Sequence, residues 1–168
     1  SKLLSAPATV NGTFLIGDDN DFFDEGFQLT GGPTSTLRIG QDGTTPANIG
    51  GTYTVGKNAV ATTLAGFTII DIQANTKVVY QSTAPQNIAG SATFYNNTTL
   101  GSTNSYSRLE IKNNSVKTLL GSITVRDSLI IGSTASLDAS ASDFSISSRG
   151  EWFNQGTFIA RSGLVSFI

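Results

Sequence analysis

The acid-rich stretch Gly17-Asp18-Asp19-Asn20-Asp21-Phe22-Phe23-Asp24-Glu25-Gly26 is the one place where this sequence gathers close-set residues able to do chemistry. Carboxylates at such spacing suit Ca²⁺, a hard cation that takes about 6–8 oxygen ligands. Asp18, Asp19, Asp21 and Asp24 would be the ligands, and calcium is the only cofactor the sequence suggests. The stretch lacks the central Gly and the distal Glu of an EF-hand loop. The competing reading is a solvated turn in which the Asp and Asn side chains bond their own backbone.

Other reactive chemistry is thinly represented. With no His and no Cys, the chain has no Ser-His-Asp triad, no imidazole metal ligand and no thiolate. Glycoside hydrolysis needs two carboxylates facing one bond. The remaining acids (Asp42, Asp71, Glu110, Asp127, Asp138, Asp143 and Glu151) are isolated in sequence, which reads as non-catalytic. Aromatic residues occur in the pairs Phe22-Phe23 and Trp152-Phe153. Exposed, they would stack on sugar rings or on a partner. Phe153 and Phe158 are expected in the core, and Trp152 is compatible with either place. Asn11, Asn96, Asn97 and Asn113 begin N-x-Ser/Thr sequons. Thr34/Thr36 and Thr52/Thr54 form Thr-x-Thr pairs too few and too far apart to make a ranked array.

The elements that must position these residues are extended. Thr (22), Ser (20), Gly (18) and Asn (12) supply the polarity, while charged residues are 13% of the chain. Such residues suit turns and strand surfaces and are poor helix fillers. Apolar residues recur along the whole length, unlike in disordered chains. The ten Lys and Arg are scattered and the net charge is −2, so nucleic acid is not an expected partner. No apolar run approaches the ~20 residues of a helical membrane span. Short alternating segments such as Val10 to Ile16, Phe67 to Ile72, Lys77 to Tyr80, Leu109 to Ile111 and Leu129 to Ile131 lie between Gly, Asn, Asp, Ser or Pro. They predict many short strands joined by tight turns.

In the C-terminal half the strands repeat. Ile123-x-Val125, Phe144-x-Ile146 and Val165-x-Phe167 are spaced by 21 residues, with Leu129-x-Ile131 and Trp152-Phe153 between them. A constant period with two or more strands per period predicts a parallel β-helix, or β-solenoid, of about 21-residue coils. About eight coils at the ~4.8 Å strand spacing would make a rod of roughly 35–40 Å. The same strands would also suit an antiparallel β-sandwich. Residues 1–93 read as an irregular coil region with longer turns, and 94–168 as regular repeats continuous with it. The chain ends inside the apolar strand Val165-Ser166-Phe167-Ile168 and reads as an internal segment of a longer protein.

The stretch Tyr106-Ser107-Arg108-Leu109-Glu110-Ile111-Lys112-Asn113-Asn114, followed by Val116, Leu119, Ile123-Thr124-Val125 and Leu129-Ile130-Ile131, resembles a repeat of very large secreted proteins of Bacteroidetes. Ser136-Leu137-Asp138, Trp152-Phe153-Asn154-Gln155-Gly156-Thr157-Phe158 and Gly163-Leu164-Val165-Ser166-Phe167 continue the resemblance, with a looser copy at Val10 to Ile16 and Gly26 to Thr30. The resemblance implies a gliding-adhesin-like surface filament exported by the type IX system. It further implies a cell-surface location, with other segments of the same chain, the secretion machinery and surface polysaccharide as partners. Asp127-Ser128-Leu129 resembles the short O-glycosylation motif of those bacteria, with Ser128 as acceptor. The expected role is structural and adhesive. The alternatives are a carbohydrate-binding or polysaccharide-cleaving β-helix module and a phage or injection-system fibre segment.

Overall fold

A computed structural model describes residues 1–17, 20–40, 50–57, 59–64, 66–95 and 104–168. Among these the regular elements are strands and one short 3-10 turn, Ser91–Thr93. The strands are β1 (Lys2–Leu3), β2 (Ala8–Val10), β3 (Thr13–Ile16), β4 (Asn20–Phe23), β5 (Leu29–Gly31), β6 (Thr36–Ile39), β7 (Gly51–Val55), β8 (Ile69–Ile72) and β9 (Lys77–Tyr80). They continue as β10 (Gln86–Ile88), β11 (Tyr106–Ile111), β12 (Val116–Leu119), β13 (Ile123–Ile131), β14 (Ser136–Asp138), β15 (Ile146–Ser148), β16 (Glu151–Asn154), β17 (Thr157–Ile159) and β18 (Val165–Phe167).

Every ladder between these strands is parallel. The largest sheet runs β1-β4-β7-β9-β11-β13-β15-β18, with β16 also on β13; β10-β12-β14-β17, β3-β6-β8 and β2-β5 form the others. The antiparallel sandwich is thereby corrected, since the antiparallel pairing among the described residues is the isolated bridge Lys57↔Val60. The chain passes through three sheets in one order and then repeats it: β4 pairs β1, β5 pairs β2 and β6 pairs β3. Parallel neighbours need a connection long enough to bring the chain back to the same end. Here each connection supplies strands to the other sheets.

The step between paired residues is uneven. Lys2 meets Phe22, Phe22 meets Tyr53, Tyr53 meets Val78, Val78 meets Leu109, Leu109 meets Leu129, and Leu129 meets Trp152. The largest sheet is continuous across residue 93, because β9 pairs β11. The expected column of Ile123, Phe144 and Val165 is also corrected. Ile123 pairs Ile146, and Ile146 pairs Val165, leaving Phe144 in the preceding turn. That turn holds Ser140 and Asp143 at positive φ, and Phe144 still packs against the core from a partly buried position.

Alternation decides what faces inward. In β6 and in the later halves of β11 and β13 buried residues alternate with more exposed ones, and the inward set Leu37, Ile39, Leu109, Ile111, Leu129 and Ile131 is fully buried. Each such side chain contributes about 1.5–3 kcal/mol relative to exposure. Corners are sharp enough to need left-handed backbone: Asn75 and Asn113 have φ of 61° and 65°, a conformation Asn tolerates. Gly50, at φ +98°, leaves no room for a Cβ, which would lie 2.3 Å from the Asn75 carbonyl oxygen.

Candidate functional site

The outer side of the largest sheet carries a concave surface. The ladder register lines up Asp21, Thr52, Lys77, Arg108, Ser128 and Glu151 on successive strands β4, β7, β9, β11, β13 and β16. Beside them run Glu110, Ile130 and Phe153, two residues further along their strands. Two hollows open on this face. One, of about 370 Å³, is lined by Lys77, Arg108, Glu110, Asp127, Ser128 and Glu151 among others. The second, of about 320 Å³, is lined by Asn20, Asp21, Thr52, Asn75, Lys77 and Arg108 with the backbone of Gly50 and Gly51. Lys77 and Arg108 belong to both, so the hollows form one groove across six strands.

Charge is ordered along this groove. Glu110 is paired with Lys77 at 3.6 Å and with Lys112 at 3.1 Å. Asp127 accepts a hydrogen bond from the Ser107 hydroxyl. The exposed Arg108 guanidinium has no side-chain partner among the described residues. Asp21 stands at one end, and Asp127 and Glu151 at the other. The acids that look isolated in sequence are thus gathered by the register, Glu110, Asp127 and Glu151 lining one hollow.

The acidic turn is arranged differently from the expected ligand set. Asp18 and Asp19 lie outside the described residues. Asp21 is exposed in the groove, whereas Asp24 is fully buried at the end of β4. Asp24 Oδ1 accepts from the Gly26 N–H at 3.0 Å and the Gly56 N–H at 2.9 Å, and Oδ2 accepts from the Thr62 hydroxyl. The structure does not bring Asp21 and Asp24 together: both oxygens of Asp24 serve the interior while Asp21 faces solvent. Burial raises the Asp24 pKa, outweighing the opposing effect of the Thr62, Gly26 and Gly56 hydrogen bonds.

Asp24 begins a buried polar corner that crosses several strands. The Thr62 carbonyl accepts from Gln86 Nε2 at 2.9 Å, which also donates to the Val55 carbonyl at 3.0 Å. Gln86 Oε1 accepts from the Ser82 N–H at 3.3 Å, and the Ser82 carbonyl accepts from Lys117 Nζ at 2.7 Å. Lys117 is fully buried, pairs with Gln86 and Leu137 in its ladder, and also donates to Ser115 Oγ. Burial pushes its ammonium down to about 8. The Tyr106 hydroxyl donates to the Ala89 carbonyl at 2.7 Å, and burial pushes Tyr80 up to about 12. The signal for Lys117 was an alternation Lys117-x-Leu119 in which the lysine takes the inward place.

Ser128 lies in the middle of β13, half-buried on the groove floor between Arg108 and Glu151. Trp152 takes the inward position opposite Leu129 and stacks edge-on with Phe158 and Phe167, at ring distances of 5.1 and 5.6 Å. Its neighbour must then point outward. Phe153 is accordingly 52% exposed, which corrects its expected core placement; Phe158 packs partly buried against the core. Phe22 is inward and buried, in edge-on contact with Phe14 and Tyr53.

Comparisons with protein-family models, curated proteins and solved structures found no match to this chain.

Proposed function

We propose that this chain is a non-catalytic β-solenoid segment of a secreted bacterial surface filament or adhesin. The observation that carries the reading is the sheet order: parallel strands return to the same sheets in the same sequence, with columns of buried side chains running across the ladders. Coils stacked in that way would share one continuous core and give length and stiffness with few charges. The repeat-like stretch from Tyr106 onward adds the resemblance to gliding adhesins of Bacteroidetes. Other segments of the parent chain and the export machinery are its proposed partners. Two of the four groove acids, Glu110 and Asp127, already engage Lys77, Lys112 and Ser107, which favours a binding surface over acid–base chemistry. The groove also favours a second reading, a carbohydrate-binding module on the same scaffold.

An antibody raised against residues 1–168 tests the location and role. Labelling of intact cells, with loss of surface attachment when the segment is deleted from its parent, is the expected result. Labelling only after permeabilisation, or full attachment without the segment, would overturn it.

A further inference from the structure

We infer that the groove on the outer face of the largest sheet binds an oligosaccharide bearing a uronic carboxylate, seated on Arg108 and Lys77. The inference deepens the adhesive reading above by naming a ligand class. Three observations carry it. The first is shape: two hollows merge into a trough crossing β4, β7, β9, β11, β13 and β16. Five ladder steps of ~4.8 Å make it about 24 Å long, suited to an extended chain lying across the strands. Concave surfaces with a few convergent polar groups are the usual ligand sites.

The second is the order of charge. Arg108, exposed and without a side-chain partner among the described residues, stands at the centre beside Lys77, whose ammonium is shared with Glu110 at 3.6 Å. A guanidinium matches a carboxylate through two parallel N–H···O bonds. On either side the lining changes to acceptors and hydroxyls: Asp21 and Thr52 one way, Ser128, Asp127 and Glu151 the other. Carboxylates accept hydrogen bonds and cannot donate them when ionised. They fit sugar hydroxyls and would repel further negative charge. A polyanion charged at every unit is therefore a poorer match than a chain with one acidic sugar among neutral ones.

The third is Phe153. Its half-exposed ring stands beside Ile130, on the strand that supplies Glu151. An aromatic face at the end of a polar trough offers a stacking surface for a sugar ring.

The test uses the 168-residue chain in calorimetric titration against three probes. These are an oligosaccharide with a single glucuronic acid among neutral residues, its carboxyl-reduced form, and a heparin tetrasaccharide. The uronic probe should bind saturably and bind better than the other two. Arg108→Gln should weaken it by at least about tenfold, the worth of a charge-assisted bidentate contact. Arg108→Lys should fall between, and Lys57→Gln, away from the groove, should change nothing. Arg108 has no side-chain partner to lose, so the variants should keep the parent's circular dichroism. Should Arg108→Gln misfold, Arg108→Lys and Phe153→Ala provide the same comparison. No binding of the uronic probe, equal binding of its reduced form, preference for heparin, or an unchanged affinity in the folded Arg108→Gln chain would each overturn the inference. A chain that failed here but still labelled the cell surface would lose the ligand and keep the shaft.

Discussion

Replacing Lys117 with Met tests whether the interior holds an ammonium it would rather release. The lysine is fully buried, with the Ser82 carbonyl and the Ser115 hydroxyl as its partners, and burial lowers its pKa from 10.5 to about 8. Because the folded value lies below the unfolded one, this group's stability contribution is full above pH 10.5. It is lost as pH falls through 8. The difference of roughly 2.5 pH units corresponds to about 3 kcal/mol at ~1.36 kcal/mol per unit. Met removes that cost near neutral pH and takes away one of two donors to the Ser82 carbonyl, which keeps the Ser115 hydroxyl at 2.8 Å, a loss of about 0.5–1.5 kcal/mol. The two effects oppose each other at pH 7, so a single stability value decides little. The pH profile decides it. Urea unfolding between pH 7 and 9.5, followed by Trp152 fluorescence, should show the parent gaining on Lys117→Met by roughly 2 kcal/mol as pH rises. The buried tyrosines are common to both chains and drop out of the difference. Parallel profiles would refute the reasoning, since an ammonium that keeps its ordinary pKa is not paying for burial.

Leu109, fully buried between Val78 and Leu129, should cost about 3–5 kcal/mol when cut to Ala, whereas Phe153→Ala should stay within about 0.5 kcal/mol; thermal and urea unfolding check both. Equal effects would contradict the assigned inward and outward faces. Asp24→Asn keeps an acceptor for Gly26 and Gly56 and removes the titration. Since Asp24's folded pKa is raised, its contribution is full below 3.8 and lost as pH rises through the folded value. The Asn chain should therefore gain on the parent as pH rises from 3 to neutrality, and a fall instead would mean that the hydrogen bonds favour the ionised form.

Much of the fold can be read from alternation, and its misses share one cause. Period two tells which residues share a face but is blind to a slip of two along the strand. Phe144-x-Ile146 and Ile146-x-Ser148 present the same face, so the sequence could not separate the column through Phe144 from the observed one through Ile146. Alternation also says nothing of strand direction, which left the sandwich open until the ladders proved parallel. At Trp152-Phe153 two large aromatics compete for one inward position, and the tryptophan occupies it. Of the expected cation ligands, Asp21 joined the groove and Asp24 the interior, because the strand ends between them. Most of the groove lay hidden because its residues are neighbours only across steps such as Lys77 to Arg108 and Ser128 to Glu151. Lys117 hid for another reason: a lysine between Val116 and Thr118 reads as a surface residue.

The ladder itself is the central claim, and the absence of native cysteine makes it measurable. Spin labels at Asp21→Cys and Glu151→Cys would sit on exposed residues joined through Thr52, Lys77, Arg108 and Ser128. Five steps of ~4.8 Å place the two backbones about 24 Å apart, and pulsed electron resonance should return one narrow distribution near that value, broadened by the label tethers. A distribution centred beyond about twice that length, or several well-separated ones, would contradict the stacked parallel ladder.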